Sequence, residues 1–175
     1  TEHLIAGDPL YIVDIRQEYL TATLSKFNDV YRRRVRPYLI KQGEGDKFAD
    51  LSDLPQNQFG FVLCWDNFDY LSRDIIQQYL QEVFKLLRPG GIFMFSYTNC
   101  ELELAALKVG YHTAAYCSST WLLKVLRDIG YELINLTDCT STDSDSTVHP
   151  ISWAEVRKPG TLSTTKTSQA QGLIR

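Results

Sequence analysis

Leu87-Arg88-Pro89-Gly90-Gly91-Ile92-Phe93-Met94-Phe95-Ser96 decides the fold. Residues 72–87, which lead into it, place apolar side chains at 75, 76, 79, 80, 83, 84 and 87. That is a single stripe at helical spacing. Ser72 is suited to cap the start of this helix, and Lys85 and Arg88 put positive charge at its end. Pro89 cannot continue a helix, and the two glycines permit a tight reversal. Residues 92–97 then read as a buried strand. A helix, a reversal and an aliphatic strand in this order belong to an α/β sandwich.

The same alternation extends in both directions. Leu10-Tyr11-Ile12-Val13 reads as a strand and is followed by a helix from Ile15 to about Arg34, with Asp14 and Gln17 as a capping-box-like pair. Val35 to Ile40 is the next strand, and Pro37 places it at a sheet edge. Gly43-Glu44-Gly45-Asp46 is a turn, and 46–58 is a polar loop or short helix. Phe59-Gly60-Phe61-Val62-Leu63-Cys64 is a further strand. After a helix over Glu101–Val109, residues from Tyr116 open another, which stops at Gly130. The strand 131–138 and the apolar alternation over 148–156 flank a Ser/Thr/Asp loop at 140–147, the pattern of an antiparallel hairpin.

Four segments in this order resemble the class I, S-adenosylmethionine-dependent methyltransferases. They are the Leu10–Ile15 strand, Leu54-Pro55 leading into the Phe59–Cys64 strand, Leu87–Gly91, and the helix ending at Gly130 with its following strand. The resemblance covers roughly residues 1–158. It implies a Rossmann-like fold, a doubly wound and mostly parallel sheet closed by a C-terminal antiparallel hairpin. It also implies S-adenosylmethionine as cofactor and methyl transfer to an acceptor that the sequence does not specify. In that reading Asp14, at the carboxyl end of its strand, accepts the ribose hydroxyls, with Ile15 beside it. Asp50 matches the adenine-binding acid and Leu51 supplies a backbone amide to the ring; Asp46, after Gly45, is a competing alignment. Cys64 closes the strand facing the cofactor, and Asp66 after it is the catalytic candidate, placed to orient an amine or accept its proton. Asp14 has a second reading as a helix cap, Asp50 as a solvated loop acid. Trp65, Phe68 and Tyr70 read as packing between sheet and helix, with Asp66, Asn67 and Asp69 serving turn geometry.

The chain departs from the family at two points. Gly60 stands where an acid is usual, and the Gly-x-Gly-x-Gly loop has no counterpart. Thr1–Asp8 reads as the end of the helix that follows that loop. The strand before the loop belongs between those of Tyr11 and Phe61. The expectation is a sheet with a gap there, two unpaired edges facing each other, completed by a further segment or another chain. A catalytically inactive scaffold serving assembly is the alternative function.

Composition sets the remaining bounds. The 175 residues are 44% hydrophobic and 22% charged with a formal net charge of −3, which suits one soluble domain and gives no general attraction for nucleic acid. Tyr31–Arg36 carries four arginines, read as a solvated helix end. No apolar run reaches the roughly 18–20 residues that span a bilayer. Cys64, Cys100, Cys117 and Cys139 lack metal-type spacing and read as free buried thiols, pointing to a reducing, cytoplasmic setting. The three histidines are scattered, so no metal site is expected. Residues 159–175, rich in Thr, Ser, Gln and Lys, read as an extended or disordered polar tail.

Overall fold

The computed structural model describes residues 9–41, 50–110, 115–142 and 148–160. The expected tail beyond Gly160, the opening Thr1–Asp8, the 43–46 turn with Asp46, and most of the 140–147 loop lie outside the described residues.

Strand β1 (Leu10–Asp14) lies parallel to β2 (Val35–Leu39) as a separate pair. The remaining four strands form one sheet in the order β3-β4-β6-β5: β3 (Phe59–Cys64), β4 (Leu87–Tyr97), β5 (Glu132–Thr142) and β6 (Val148–Arg157). β3 and β4 are parallel, while β6 is antiparallel to both of its neighbours and sits between β4 and β5. The architecture is the expected α/β Rossmann-like one with its closing hairpin. Among the described residues β1 and β3 do not pair, and the expected gap lies between them.

Two amphipathic helices, α3 (Arg73–Leu86) and α5 (Ser119–Ile129), cover one sheet face. Their buried Ile76, Leu80, Val83, Leu122 and Leu126 meet Phe93, Phe95, Ala154 and Val156 from the sheet. The Phe93 and Phe95 rings lie 4.8 Å apart, and Phe68 reaches both. Each such side chain contributes about 1.5–3 kcal/mol by leaving water. At the helix ends, Ser118 Oγ accepts the Trp121 N–H at 3.2 Å, and Gly130, at φ 105°, closes α5 in the left-handed conformation that glycine permits.

Several local readings change. The helix expected over 15–34 is two helices, α1 (Gln17–Ser25) and α2 (Asp29–Arg32). The break falls where the Asn28 side chain accepts from the Val30 and Tyr31 N–H groups, a cap that restarts the chain. Asp14 and Gln17 form no capping box; Asp14 Oδ1 accepts the Arg16 N–H at 2.8 Å instead. Ser72 occupies the N-cap position of α3 without a side-chain bond. The end of α3 is held by Lys158, whose Nζ donates to Phe84 O (2.9 Å), Leu87 O (2.9 Å) and Asn57 Oδ1 (2.7 Å). The reversal at Pro89-Gly90-Gly91 lies within β4, because Leu87 already pairs with Phe59 and a register shift follows. A short helix, α4 (Glu103–Gly110), precedes α5.

Candidate functional site

The carboxyl ends of β3 and β4 lie side by side, that of β1 lies across the gap, and the segments leaving the three strands supply the polar groups. β1 ends at Asp14, whose backbone carbonyl accepts the Ile40 N–H at 2.8 Å. Its carboxylate spends one oxygen on Arg16, and a carboxylate has two. Ile15 follows it with an exposed side chain. β3 ends at Cys64, whose thiol burial pushes up to about 12, helped by the nearby Asp69 charge and opposed by an Asn67 hydrogen bond. Tyr79 of α3 lies near both strand ends. Burial raises its phenol to about 12, and both Cys64 and Asp14 lie close enough to add to that rise.

Asp50 and Leu51 approach from the β2 side. The Tyr38 hydroxyl donates to Asp50 O at 3.2 Å, and Asp50 Oδ1 accepts the Ser52 N–H at 2.9 Å. Leu51 is buried in the core. The Asp50 and Lys41 backbones form an isolated antiparallel β-bridge, and the Lys41 ammonium ion-pairs with Asp53 at 2.6 Å.

After β3 the chain turns sharply. Asp66 takes φ 56°, a left-handed conformation that Asp tolerates, and its N–H donates to Ser96 Oγ of β4 at 2.8 Å. Its side chain is exposed. The expectation that Trp65, Phe68 and Tyr70 pack between sheet and helix holds for Phe68 alone. Trp65 and Tyr70 are exposed, with Trp65 6.2 Å from the Trp153 ring. Asp69 is buried and accepts from the Thr98 hydroxyl, while its backbone carbonyl accepts the Ala115 N–H at 2.7 Å. Asn99 Oδ1 receives the N–H groups of Glu101 and Ser119, and Tyr97 shares a 2.7 Å hydrogen bond with Ser119. These polar contacts fix the loops above β3 and β4. Sequence reading missed Tyr79, Ser96, Thr98 and Asn99. Ser96, Thr98 and Asn99 end an otherwise apolar strand, a signal that was available; Tyr79 was hidden within a regular helix stripe.

The arginines at 32–36 are solvated: Arg36 Nη1 donates to Arg33 O at 2.6 Å. No group of His, Cys, Asp and Glu residues suited to a metal occurs among the described residues. No helix there is long and apolar enough to cross a membrane. All four cysteines are free thiols, Cys117 buried, Cys64 and Cys100 half-buried. Cys139 is exposed, which corrects the expectation of burial. Burial pushes the Cys117 and Cys64 thiols up to about 12. Iodoacetamide at pH 8 is therefore expected to modify Cys139 well before Cys64 or Cys117, because the thiolate is the nucleophile. Mass spectrometry of the digested protein checks the order.

Solved structures share this fold at low sequence identity. A SAM-dependent methyltransferase from Methanosarcina mazei matches with a TM-score of 0.65 at 13% identity, over 86% of this chain and 82% of that one. The magnesium protoporphyrin IX methyltransferase of Synechocystis PCC 6803, solved with bound SAH, matches with a TM-score of 0.63 at 18% identity, over 90% and 67%. The [4+2]-cyclase SpnF matches with a TM-score of 0.64 at 13% identity, over 90% and 69%. No curated protein matches the sequence. The model of a family described as "Methyltransferase domain" matches residues 5–95, a stretch that holds Asp14, Asp50, Cys64 and Asp66 and ends in β4. The chain belongs to that methyltransferase-domain family.

Proposed function

We propose that residues 1–158 form the larger part of a cytoplasmic, S-adenosylmethionine-dependent methyltransferase domain, with 159–175 as a polar tail. The family match carries this reading, since the matched stretch holds Asp14, Asp50, Cys64 and Asp66. The donor set suits a nucleoside. Asp14 has acceptor capacity for ribose hydroxyls beside Ile15. Asp50, held by Tyr38 and Ser52, takes the adenine amine, and Leu51 offers its amide to the ring. Cys64 stays a neutral thiol and adds no charge beside the ligand. When bound, S-adenosylmethionine supplies an electrophilic methyl group on a sulfonium, so the protein's work is chiefly alignment. Asp66, fixed through its own N–H by Ser96, orients the acceptor or takes its proton. The polypeptide that completes the gap between β1 and β3 belongs to the working site.

One observation favours the rival reading of an inactive scaffold: Gly60 stands where the family has an acid, and the Arg88 guanidinium lies against it. Isothermal titration with S-adenosylhomocysteine separates the two readings. The protein with its gap completed is expected to bind in the micromolar range and to weaken at least about tenfold on Asp14→Ala. Absence of heat in that protein would overturn the enzyme reading. Residues 1–175 alone are expected to bind about a hundredfold or more weaker. Two or three lost hydrogen bonds to a charged ligand cost about 1.5–3 kcal/mol each.

A further inference from the structure

The cations of this chain are not spread evenly. Its formal net charge is −3, yet residues 9–41 hold seven basic and three acidic side chains. The fold sorts them further. β1 and β2 are parallel, so α1 carries the chain from the carboxyl end of β1 back to the amino end of β2. Lys26, at the end of α1, and Arg32, Arg33, Arg34 and Arg36 therefore gather at the amino ends of the two strands. Asp29 is the one acid within residues 26–36. Asp14 lies at the opposite end, about 13 Å away along β1.

Local structure holds the arginines in place. Asn28 Oδ1 accepts the Val30 and Tyr31 N–H groups at 3.1 Å each and starts α2. The Arg34 N–H donates to Tyr31 O at 2.9 Å, and Arg34 O accepts the Leu10 N–H at 3.2 Å, which pins the segment to β1. Arg36 folds its guanidinium back onto Arg33 O at 2.6 Å, so its charge stands beside Arg33. All four arginines are exposed. Among the described residues no carboxylate forms an ion pair with Arg32, Arg33 or Arg36, not even Asp29, one helical turn before the first two. Four ion pairs do form elsewhere. Like charges held together repel, and an anion from outside relieves that cost.

We infer that this end of the fold binds the phosphate backbone of a single-stranded nucleic acid. A guanidinium forks a phosphate through two parallel N–H donors, which an ammonium does not, and four of the five cations are arginines. Half-buried Tyr31, next to Arg32, offers part of its ring for a base to stack on, a feature that an acidic peptide would leave unused. α2 has four residues, too few to fill a duplex groove. Val30 is its one exposed large apolar side chain, too little to enter a lipid surface. The inference rests on charge placement and exposure and is independent of the methyl-transfer reading.

Fluorescence anisotropy of a labelled single-stranded RNA of about 12 nucleotides tests it. Titration with the protein is expected to give a Kd of about 10–100 μM at about 0.15 M KCl. The slope of log K against log salt is expected at about −2 to −3, roughly 0.7 for each of three or four phosphates neutralised. Arg32→Gln together with Arg33→Gln should weaken binding about tenfold and make the slope shallower by about 1.4. Neither guanidinium is ion-paired among the described residues, so this variant should melt with the parent. Arg32→Lys with Arg33→Lys keeps the charge and should keep the slope. Lys124→Gln, on α5, should bind as the parent does. The inference is overturned if the RNA does not bind at about 0.05 M KCl, or if the glutamine pair keeps the parent's affinity and slope. It is equally overturned if Lys124→Gln weakens binding as much as that pair. Tighter binding to phosphatidylserine vesicles, or to polyglutamate at the same charge concentration, would overturn it as well.

Discussion

Gly91→Ala should destabilise the protein by about 2–4 kcal/mol, a large part of the 5–15 kcal/mol typical of a domain. A Cβ at Gly91 would stand 2.7 Å from Phe59 O and 2.9 Å from Arg88 O. Both are backbone atoms and cannot rotate away. Relief requires β3 and β4 to part where Phe59 pairs with Leu87, at the register shift that sets the pairing of the rest of β3. Gly90→Ala is the control. Gly90 has φ 78° with nothing within 4 Å of its added Cβ, so that substitution costs only the left-handed conformation, about 1–2 kcal/mol. Urea unfolding of both variants checks the prediction; equal midpoints would mean that the strands part at no cost.

Lys158→Met should cost a similar amount, about 2–4 kcal/mol, since hydrogen bonds to a charged group contribute about 1.5–3 kcal/mol. The ammonium spends its three donors on Phe84 O, Leu87 O and Asn57 Oδ1, and lies 4.9 Å from the centre of the Phe84 ring. Methionine keeps the packing of the stem but removes the ammonium from Phe84 O and Leu87 O, while Lys85 O and Leu86 O keep the Asn57 and Gln58 N–H groups. Truncation after Arg157 is expected to cost more, because it also removes the backbone bonds from Gly90 N–H to Lys158 O and from Lys158 N–H to Gly91 O, both 2.9 Å. Thermal unfolding of the three proteins decides it, and a Lys158→Met midpoint equal to that of the parent would remove the cap from the account.

What could be read from the sequence was what short-range chemistry fixes. The stripe of α3, the Gly130 stop of α5, and the hairpin of β5 and β6 each depend on residues within a few positions of one another. The two-helix break at Asn28 was written in an Asn-Asp start signal, but the apolar spacing of Leu20, Leu24, Phe27 and Tyr31 outweighed it. Lys158 was out of reach because its partners lie 74 and 101 residues away. At the site, Asp14 and Asp50 stood out through resemblance to a family, whereas Tyr79 looked like one more residue in an apolar stripe. Its nearness to Asp14 and Cys64 depends on how α3 packs against the ends of β1 and β3, which no local pattern encodes.

The position of β6 bears on how the chain is made. It is the last strand in the described sequence, yet it lies between β4 and β5. While the chain emerges from the ribosome, β4 and β5 therefore have no shared partner until Arg157 is outside. During that interval the Phe93–Phe95 edge of β4 is open to any other strand, and strand edges exposed during synthesis are where aggregation begins. Contacts of such long sequence separation also form slowly. Slow translation at any point between the emergence of β4 and that of Arg157 should lower the soluble yield, whereas a pause before β4 should leave it unchanged.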